Sequence, residues 1–154
     1  MLDAARGYQT SDKWYDSPRK IIPGNPDEEL IMSQAQEILK LEREQASDFN
    51  SRNLKALLAQ FSSAFVGFSS TRYERIAGRT ALKRTFQHYL DQSPELRYSI
   101  RQPRVQVFGS AAVVSFYWTV ELSPGHKVEG RGSHVFVKQG KNWSIVHEHF
   151  SRSH

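Results

Sequence analysis

The sequence predicts an α+β fold in which three helices pack into a strongly curved antiparallel sheet. Apolar residues recur at helical spacing in three segments before residue 93, and four long alternating segments separated by short turns follow. Helices followed by a run of consecutive strands are typical of this class, because neighbouring strands can then pair as hairpins. A length of 154 residues fits one domain with a short appendage. We therefore predict a tail over residues 1–24 and one domain over residues 25–154.

The three helices are indicated by their first turns and by their apolar stripes. The first begins after Asn25, a favourable N-cap residue, and continues through Pro26 to about residue 49. Its apolar stripe consists of Ile31, Ala35, Ile38 and Leu39. The second helix covers about residues 51–61 and the third about residues 80–92. The core-facing stripe of the third helix consists of Leu82, Phe86, Tyr89 and Leu90.

The strands are indicated by alternation between turn residues. Residues 62–69 alternate, and a short strand is predicted at 73–76. The later strands are predicted at 96–108, 111–122, 127–138 and 142–151. Short turns rich in glycine, serine and proline join these four strands, which predicts consecutive antiparallel hairpins. Pro103 cannot donate a hydrogen bond to a neighbouring strand, so it predicts a sheet edge or a bulge that bends the sheet.

Composition excludes several classes of function. The chain contains no cysteine, which rules out disulfides, thiolate metal sites and cysteine nucleophiles. No apolar run reaches the length of a membrane helix and no secretory signal is recognisable, so we expect a cytoplasmic protein without a membrane partner. The formal net charge is +5, but the basic residues are scattered. We therefore expect no nucleic-acid partner. The alternative function, an adaptor that binds nucleic acid or acidic proteins, is supported by this charge alone.

The last predicted hairpin carries the most informative residues. Its second strand contains the polar run His147, Glu148 and His149. Strict alternation places Trp143, Ile145, His147 and His149 on one face, and Val146, Glu148 and Phe150 on the other. Titratable groups on a half-buried strand indicate either a lined cavity or a polar interface.

Three segments resemble a known family. They are residues 76–78 (Ile-Ala-Gly) before the third helix, residues 102–109 and residues 143–151. Together they are similar to the nuclear transport factor 2-like superfamily, in particular to SnoaL-like domains and the association domain of calcium/calmodulin-dependent kinase II. The resemblance covers about residues 27–152. It implies a conical α+β barrel with a pocket opening into the cone, and association through the outer face of the sheet.

The resemblance also implies which side chains line the pocket. The positions of three pocket arginines of the kinase association domain fall on Tyr117, His134 and Phe150, so capture of a carboxylate by that set is not expected. Glu148 and His134 are the candidate catalytic residues. The candidate ligand contacts are Phe68, Tyr89, Tyr117, Phe136 and Phe150.

The opposite face is predicted to mediate self-association. The predicted interface residues are Phe116, Trp118, Trp143, Ile145, His147 and His149. Such a large apolar patch is rare on a monomer, which favours a homodimer or a larger ring. The alternative is that the N-terminal tail covers this face.

Two functions follow from these assignments. The first is a small-molecule-binding and oligomerising domain with an aromatic pocket that contains one Glu and one His. The alternative is an acid–base isomerase, dehydratase or cyclase, in which Glu148 abstracts a proton beside a carbonyl and His134 or Tyr117 stabilises the oxyanion. A purely structural role for Glu148 remains open. We predict no cofactor and no metal, because His147 and His149 lie opposite His134 and lack further ligands.

Overall fold

The computed structural model describes residues 24–153, so the predicted tail lies outside it except for Gly24. Within this range the chain forms three helices and six strands, which confirms the α+β class. The helices are α1 (Pro26–Asn50), α2 (Leu54–Ala59) and α3 (Gly78–Leu90). The strands are β1 (Phe61–Phe68), β2 (Ile76–Ala77), β3 (Arg97–Phe108), β4 (Ala111–Ser123), β5 (His126–Gln139) and β6 (Asn142–Arg152).

The six strands form one sheet in the order β2-β1-β6-β5-β4-β3. The three predicted hairpins from β3 to β6 are antiparallel. The pairing of β1 with β6 is parallel, so the expectation of a wholly antiparallel sheet is wrong at this position. These two strands are far apart in the chain and no tight turn fixes their direction. The sheet is therefore mixed, and it is open, with β2 and β3 at its edges.

Four strand pairings contain a register shift, and two of these shifts bear on the predictions. In β3 the pairing shifts between Arg101 and Arg104, where Gln102 has a φ of 50° and precedes Pro103, so the predicted edge and bulge are both confirmed. In β6, Ile145 is paired with Phe136 whereas His147 is paired with Val135, so Val146 is the extra residue. A bulge of this kind reverses the alternation of side chains beyond it.

The bulge in β6 decides which side chains face the helices. We call the face of the sheet that packs against the helices the inner face, and the opposite one the outer face. Before the bulge, Trp143 and Ile145 are buried on the inner face. After it, Glu148 is buried there instead, while His149 is exposed on the outer face. The predicted outward orientation of Trp143 and Ile145 is therefore wrong.

The register of β4 against β5 corrects a second prediction. Phe116 is paired with Gly132, and Trp118 with Gly130, so both aromatic side chains lie on the inner face and are buried. A β-carbon at position 132 would lie 2.6 Å from the Phe116 ring, so glycine leaves room for it. Tyr117 lies on the outer face and is 47% exposed, whereas the sequence predicted it in the pocket.

The core lies between the inner face and the three helices. The buried positions of α1 are Ile38, Glu42, Gln45 and Phe49. The predicted α1 stripe begins one turn too early, because Ile31 remains 48% exposed. The α3 stripe is confirmed at Leu82, Phe86 and Leu90. Among residues 24–153, no helix has the length and apolarity needed to cross a membrane.

Candidate functional site

Two polar residues occupy the buried stripe of α1. Glu42 and Gln45 lie between Ile38 and Phe49 at a spacing that places all four on one side of the helix. Glu42 is 1% exposed and Gln45 is 6% exposed. Neither residue was predicted from the sequence, because only the apolar positions of the helix were considered. Their helical spacing from Ile38 was the signal that could have identified them.

Glu42 forms a buried charged cluster with the two candidate catalytic residues. His134 Nδ1 lies 2.8 Å from Glu42 Oε1, within hydrogen-bond distance. On the other side of the ring, His134 Nε2 lies 3.5 Å from Glu148 Oε2, which is an ion-pair distance without hydrogen-bond geometry. The structure thus brings Glu148 and His134 together, as the resemblance implies, and adds a second carboxylate from α1.

The two carboxylates control the charge of His134. Complete burial by itself would lower the pKa of His134, but the negative charges of Glu42 and Glu148 outweigh that effect and raise the pKa to about 10. The ring centroids of Phe116 and Phe150 lie 5.0 Å and 5.7 Å from that of the imidazole. His134 is therefore an imidazolium at neutral pH, enclosed by aromatic rings and held between two carboxylates.

Glycine at position 67 makes room for Glu148. Gly67 on β1 is paired with Glu148 on β6. A β-carbon at position 67 would lie 2.8 Å from Glu148 Cγ and 2.6 Å from the Phe65 ring. Both distances are shorter than van der Waals contact, so any larger residue here would displace the carboxylate from His134.

A cavity of about 220 Å³ lies between the helices and the inner face. Its aromatic and aliphatic lining residues are Phe49, Leu57, Phe86, Tyr89, Leu96, Tyr98, Trp118, Val120, Leu122, Val128 and Phe150. Its polar lining residues are Gln45, Ser69, Ser70, Thr71, His88, Gln92, Glu148 and Arg152. A hydrogen bond of 2.9 Å joins the hydroxyl groups of Thr71 and Tyr89 within this lining. The cavity has the mostly apolar wall and few polar groups that are typical of small-molecule sites.

Only some of the predicted pocket residues line this cavity. Tyr89, Phe150 and Glu148 do so. Phe136 and His134 are both buried in the core, with their ring centroids 6.1 Å apart. Neither side chain lines the cavity. Phe68 and Tyr117 are wrongly predicted to be pocket residues. Both lie on the outer face, because their strand partners His149 and Arg131 do.

Tyr98 is a further residue of the cavity wall that was not predicted from the sequence. Its hydroxyl group is buried and has no hydrogen-bond partner among residues 24–153, and the same is true of the Gln45 side-chain nitrogen Nε2. Burial, and then the negative charges of Glu42 and Glu148, raise the pKa of Tyr98 well above its usual value. The alternation of Leu96, directly before β3, with Tyr98 and Ile100 within it was the available signal for its inward orientation.

The predicted interface residues divide into two groups. Phe116, Trp118, Trp143 and Ile145 are buried in the core of the single chain, so they are not available to a partner. His147 and His149 do lie on the outer face, with ring centroids 6.4 Å and 5.8 Å from that of Phe68. No group of three or more histidine, aspartate or glutamate side chains in the described part of the chain is arranged to hold a metal ion.

Comparisons with known proteins agree with this architecture. The model of the SnoaL-like domain family matches residues 38–153. No curated protein gives a significant match to the chain. A nuclear transport factor 2-like protein of unknown function from Pseudomonas putida KT2440 is 18% identical, with a TM-score of 0.72 over 78% of this chain and 87% of that chain.

Two further solved structures carry functional names. A candidate calcium/calmodulin-dependent protein kinase II association domain from Xanthomonas campestris is 19% identical, with a TM-score of 0.67 over 76% of this chain and 86% of that chain. A candidate ketosteroid isomerase from Parabacteroides distasonis is 20% identical, with a TM-score of 0.62 over 77% of this chain and 87% of that chain. At these identities the likeness establishes a shared fold and leaves activity open.

Proposed function

Because the chain belongs to the SnoaL-like domain family, we propose that it binds a small apolar molecule in the cavity between its helices and the inner face. The observation that supports this best is the composition of the cavity wall. Aromatic and aliphatic side chains surround most of about 220 Å³, and the charged residues of the wall are Glu148, which lies beside His134, and Arg152. Such a site can bury an apolar ligand and orient it through a small number of hydrogen bonds.

Filling the cavity is expected to abolish this binding. Val128 lines the cavity, whereas its neighbour Lys127 is exposed on the outer face. The Val128→Trp variant should bind the neutral bicyclic ketone 2-acetonaphthone at least tenfold more weakly than the unmodified protein, because the indole ring occupies the ligand's volume. Isothermal titration calorimetry measures the affinities, and Lys127→Trp is the matched control that should bind normally. Equal affinity in the two variants would place the ligand elsewhere and contradict the proposal.

A second candidate function is acid–base catalysis by Glu148. The observation that favours it is the geometry of the buried cluster: Glu42 contacts one ring nitrogen of His134, and Glu148 lies 3.5 Å from the other. The Glu148 carboxylate also lines the cavity, where it can approach a carbon-bound proton. A structural relative named as a candidate ketosteroid isomerase makes an isomerase a reasonable class. Dehydratases and cyclases use the same proton transfers.

Deuterium exchange tests this second function without knowledge of the natural substrate. If Glu148 acts as a base, it removes a proton from the acetyl carbon of 2-acetonaphthone to give the enolate, and a deuteron from D₂O then returns to that carbon. We expect the protein to accelerate this exchange, which proton NMR follows, and Glu148→Gln to lower the accelerated rate by at least 100-fold. An equal rate with Glu148→Gln would remove Glu148 from the mechanism, and calorimetry on the same variant reports whether binding survives.

We further propose that the protein forms a homodimer or a larger ring through its outer face. One row across that face consists of Val66, His147, Val135 and Val113 on adjacent strands. Near this row, Phe108 is 62% exposed. These side chains replace the four core residues that the sequence analysis assigned to the interface, and His147 and His149 keep their predicted place on it.

A cytoplasmic location remains the expectation from the absence of cysteine.

A charge in the middle of this row is expected to separate the subunits. Val135→Glu should convert the assembly to a monomer, since an unpaired carboxylate is costly to bury between two subunits. Multi-angle light scattering measures the mass in solution. Lys127→Glu, at an exposed position on the same strand and face, serves as the control that should preserve the assembly. An assembly unchanged by Val135→Glu would exclude the outer face as its interface.

A further inference from the structure

An arginine lies at the outer end of the cavity. Arg152 lies on β6 four residues after Glu148, and both residues line the cavity together with Phe150 between them. Glu148 is buried, with 5% of its surface exposed, whereas Arg152 is exposed. A strand rises about 3.3 Å per residue, so the backbones of Arg152 and Glu148 are about 13 Å apart. The cavity therefore extends from a buried end at Glu148 to an open end at Arg152.

Hydroxyl groups accompany Arg152 at the open end. Because β1 runs parallel to β6 and pairs with it as far as Phe68, the segment that follows β1 lies beside the end of β6. Ser70 and Thr71 of this segment line the cavity, and the Thr71 hydroxyl group lies 2.9 Å from that of Tyr89. Serine and threonine can donate hydrogen bonds to the same acceptor that an arginine holds.

No acidic residue of the described part of the chain lines the open end. The one carboxylate in this lining is Glu148, at the buried end. His88 also lines the cavity at an exposed position, and a histidine can add only positive charge. The guanidinium group of Arg152 has no hydrogen-bond or ion-pair partner among residues 24–153. A guanidinium group in this setting is suited to bind an anion.

The wall between the two ends is aromatic. Gly130 is paired with Arg152 across the sheet, and a β-carbon at position 130 would lie 2.4 Å from the Trp118 ring. Glycine therefore lets the indole ring lie close to the open end. The Phe150 ring centroid lies 6.1 Å from that of Trp118, and both residues line the cavity. The two rings provide an apolar surface between Arg152 and Glu148.

We propose that Arg152 binds the anionic end of an amphipathic ligand, a carboxylate, at the mouth of the cavity. The apolar body of the ligand packs against Trp118 and Phe150 and extends towards Glu148, while the anion stays at the open end. A planar carboxylate can accept two hydrogen bonds from one guanidinium group. The distance of about 13 Å suits a bicyclic body that carries a short carbon chain. This inference rests on the proposed function, because it specifies the charge of the ligand that the same cavity binds.

Three compounds with the same apolar body test this preference. They are 4-(2-naphthyl)butanoate, 4-(2-naphthyl)butanamide and 4-(2-naphthyl)butan-1-amine, which carry an anionic, a neutral and a cationic group. Calorimetry at pH 7 should rank their affinities in that order, with the carboxylate about fivefold tighter than the carboxamide. Raising the ionic strength from about 0.01 M to about 1 M should remove this difference, because salt screens an exposed ion pair. The comparison uses the unmodified protein, so it does not depend on the folding of any variant.

Two substitutions assign the preference to Arg152. Arg152→Gln should make the carboxylate and the carboxamide bind equally, and Arg152→Glu should make the amine the tightest of the three compounds. Affinity for the carboxamide should stay nearly unchanged in both variants, because the side chain is exposed. Arg131→Gln is the matched control, since it removes the same charge from an exposed position on the outer face of β5. It should preserve the preference, which excludes an effect of net charge alone.

The outcomes separate this inference from the proposed function. If the carboxylate and the carboxamide bind equally to the unmodified protein and Val128→Trp abolishes the binding of both, the cavity is a ligand site but the role of Arg152 is wrong. A carboxylate preference that survives Arg152→Gln, or that Arg131→Gln removes, would also overturn this role. If none of the three compounds binds, the proposed function fails and the inference fails with it.

Discussion

Replacement of His134 by leucine is expected to destabilise the fold by about 3–5 kcal/mol, the usual cost of removing one partner from a buried ion pair. His134 is completely buried and lies within hydrogen-bond distance of Glu42 Oε1, while Glu42 Oε2 has no partner among the described residues. Without the imidazolium, the carboxylates of Glu42 and Glu148 would face each other in an apolar environment. Urea unfolding followed by circular dichroism at pH 7 measures the change in the free energy of unfolding.

Two further variants distinguish charge pairing from loss of packing. His149→Leu changes an exposed histidine on the same sheet and should alter the free energy of unfolding by less than about 0.5 kcal/mol. The double variant, Glu42→Leu combined with His134→Leu, replaces both members of the 2.8 Å contact by apolar groups. Its cost should be clearly smaller than the sum of the two single substitutions, because no unpaired charge remains at position 42. A cost equal to that sum would mean that Glu42 and His134 do not stabilise each other, which would contradict the ion pair described above.

Much of the fold could be predicted because local signals dominate it. The turns at Gly109, Gly125 and Gly140 all have positive φ, which glycine adopts without strain, and they separate strands whose predicted bounds agree with the structure within about two residues. The capped start of α1 at Asn25 is confirmed by a hydrogen bond from the Asp27 amide to the Asn25 side chain. The parallel pairing of β1 with β6 could not be predicted in this way, since it joins distant segments.

The orientation of the side chains could be predicted only in part. Alternation is reliable along an unbroken strand, and Glu148 and Phe150 were correctly assigned to the inner face. One extra residue at Val146 reverses the pattern, so Trp143 lies inside although His147 lies outside. Nothing in the local sequence marks this bulge. It becomes visible only through the pairing with β5.

The candidate site shows the same limit. His134 and Glu148 lie on neighbouring strands, and the family resemblance was sufficient to bring them together. Glu42 is 92 residues away from His134 in the chain and reaches it only because α1 packs across the inner face. Its position in the buried stripe of α1 was visible in the sequence, but the need for a buried carboxylate there is explained only by the imidazole opposite. The pair is therefore a property of the packed structure.

The stability of the protein is expected to fall as the pH rises from about 7 towards 10. The folded state raises the pKa of His134 from 6.5 to about 10, because Glu42 and Glu148 hold the imidazolium more strongly than burial disfavours it. This stabilisation is complete below pH 6.5 and is lost as the pH rises through about 10. Between these values the folded protein binds about one proton more than the unfolded chain, so the free energy of unfolding should fall by about 1.4 kcal/mol per pH unit.

Urea unfolding at several pH values between 7 and 9.5 measures this slope and avoids the region in which Tyr98 matters. Above pH 10 the raised pKa of Tyr98 would lower stability further, because the unfolded chain loses that proton first. Glu42→Gln should flatten the profile, since it removes the nearer carboxylate, whereas His149→Gln should keep the full slope because this histidine is exposed on the outer face. A flat profile in the unmodified protein would show that His134 is neutral in the folded state, and the two carboxylates would then lack the positive charge that explains their burial.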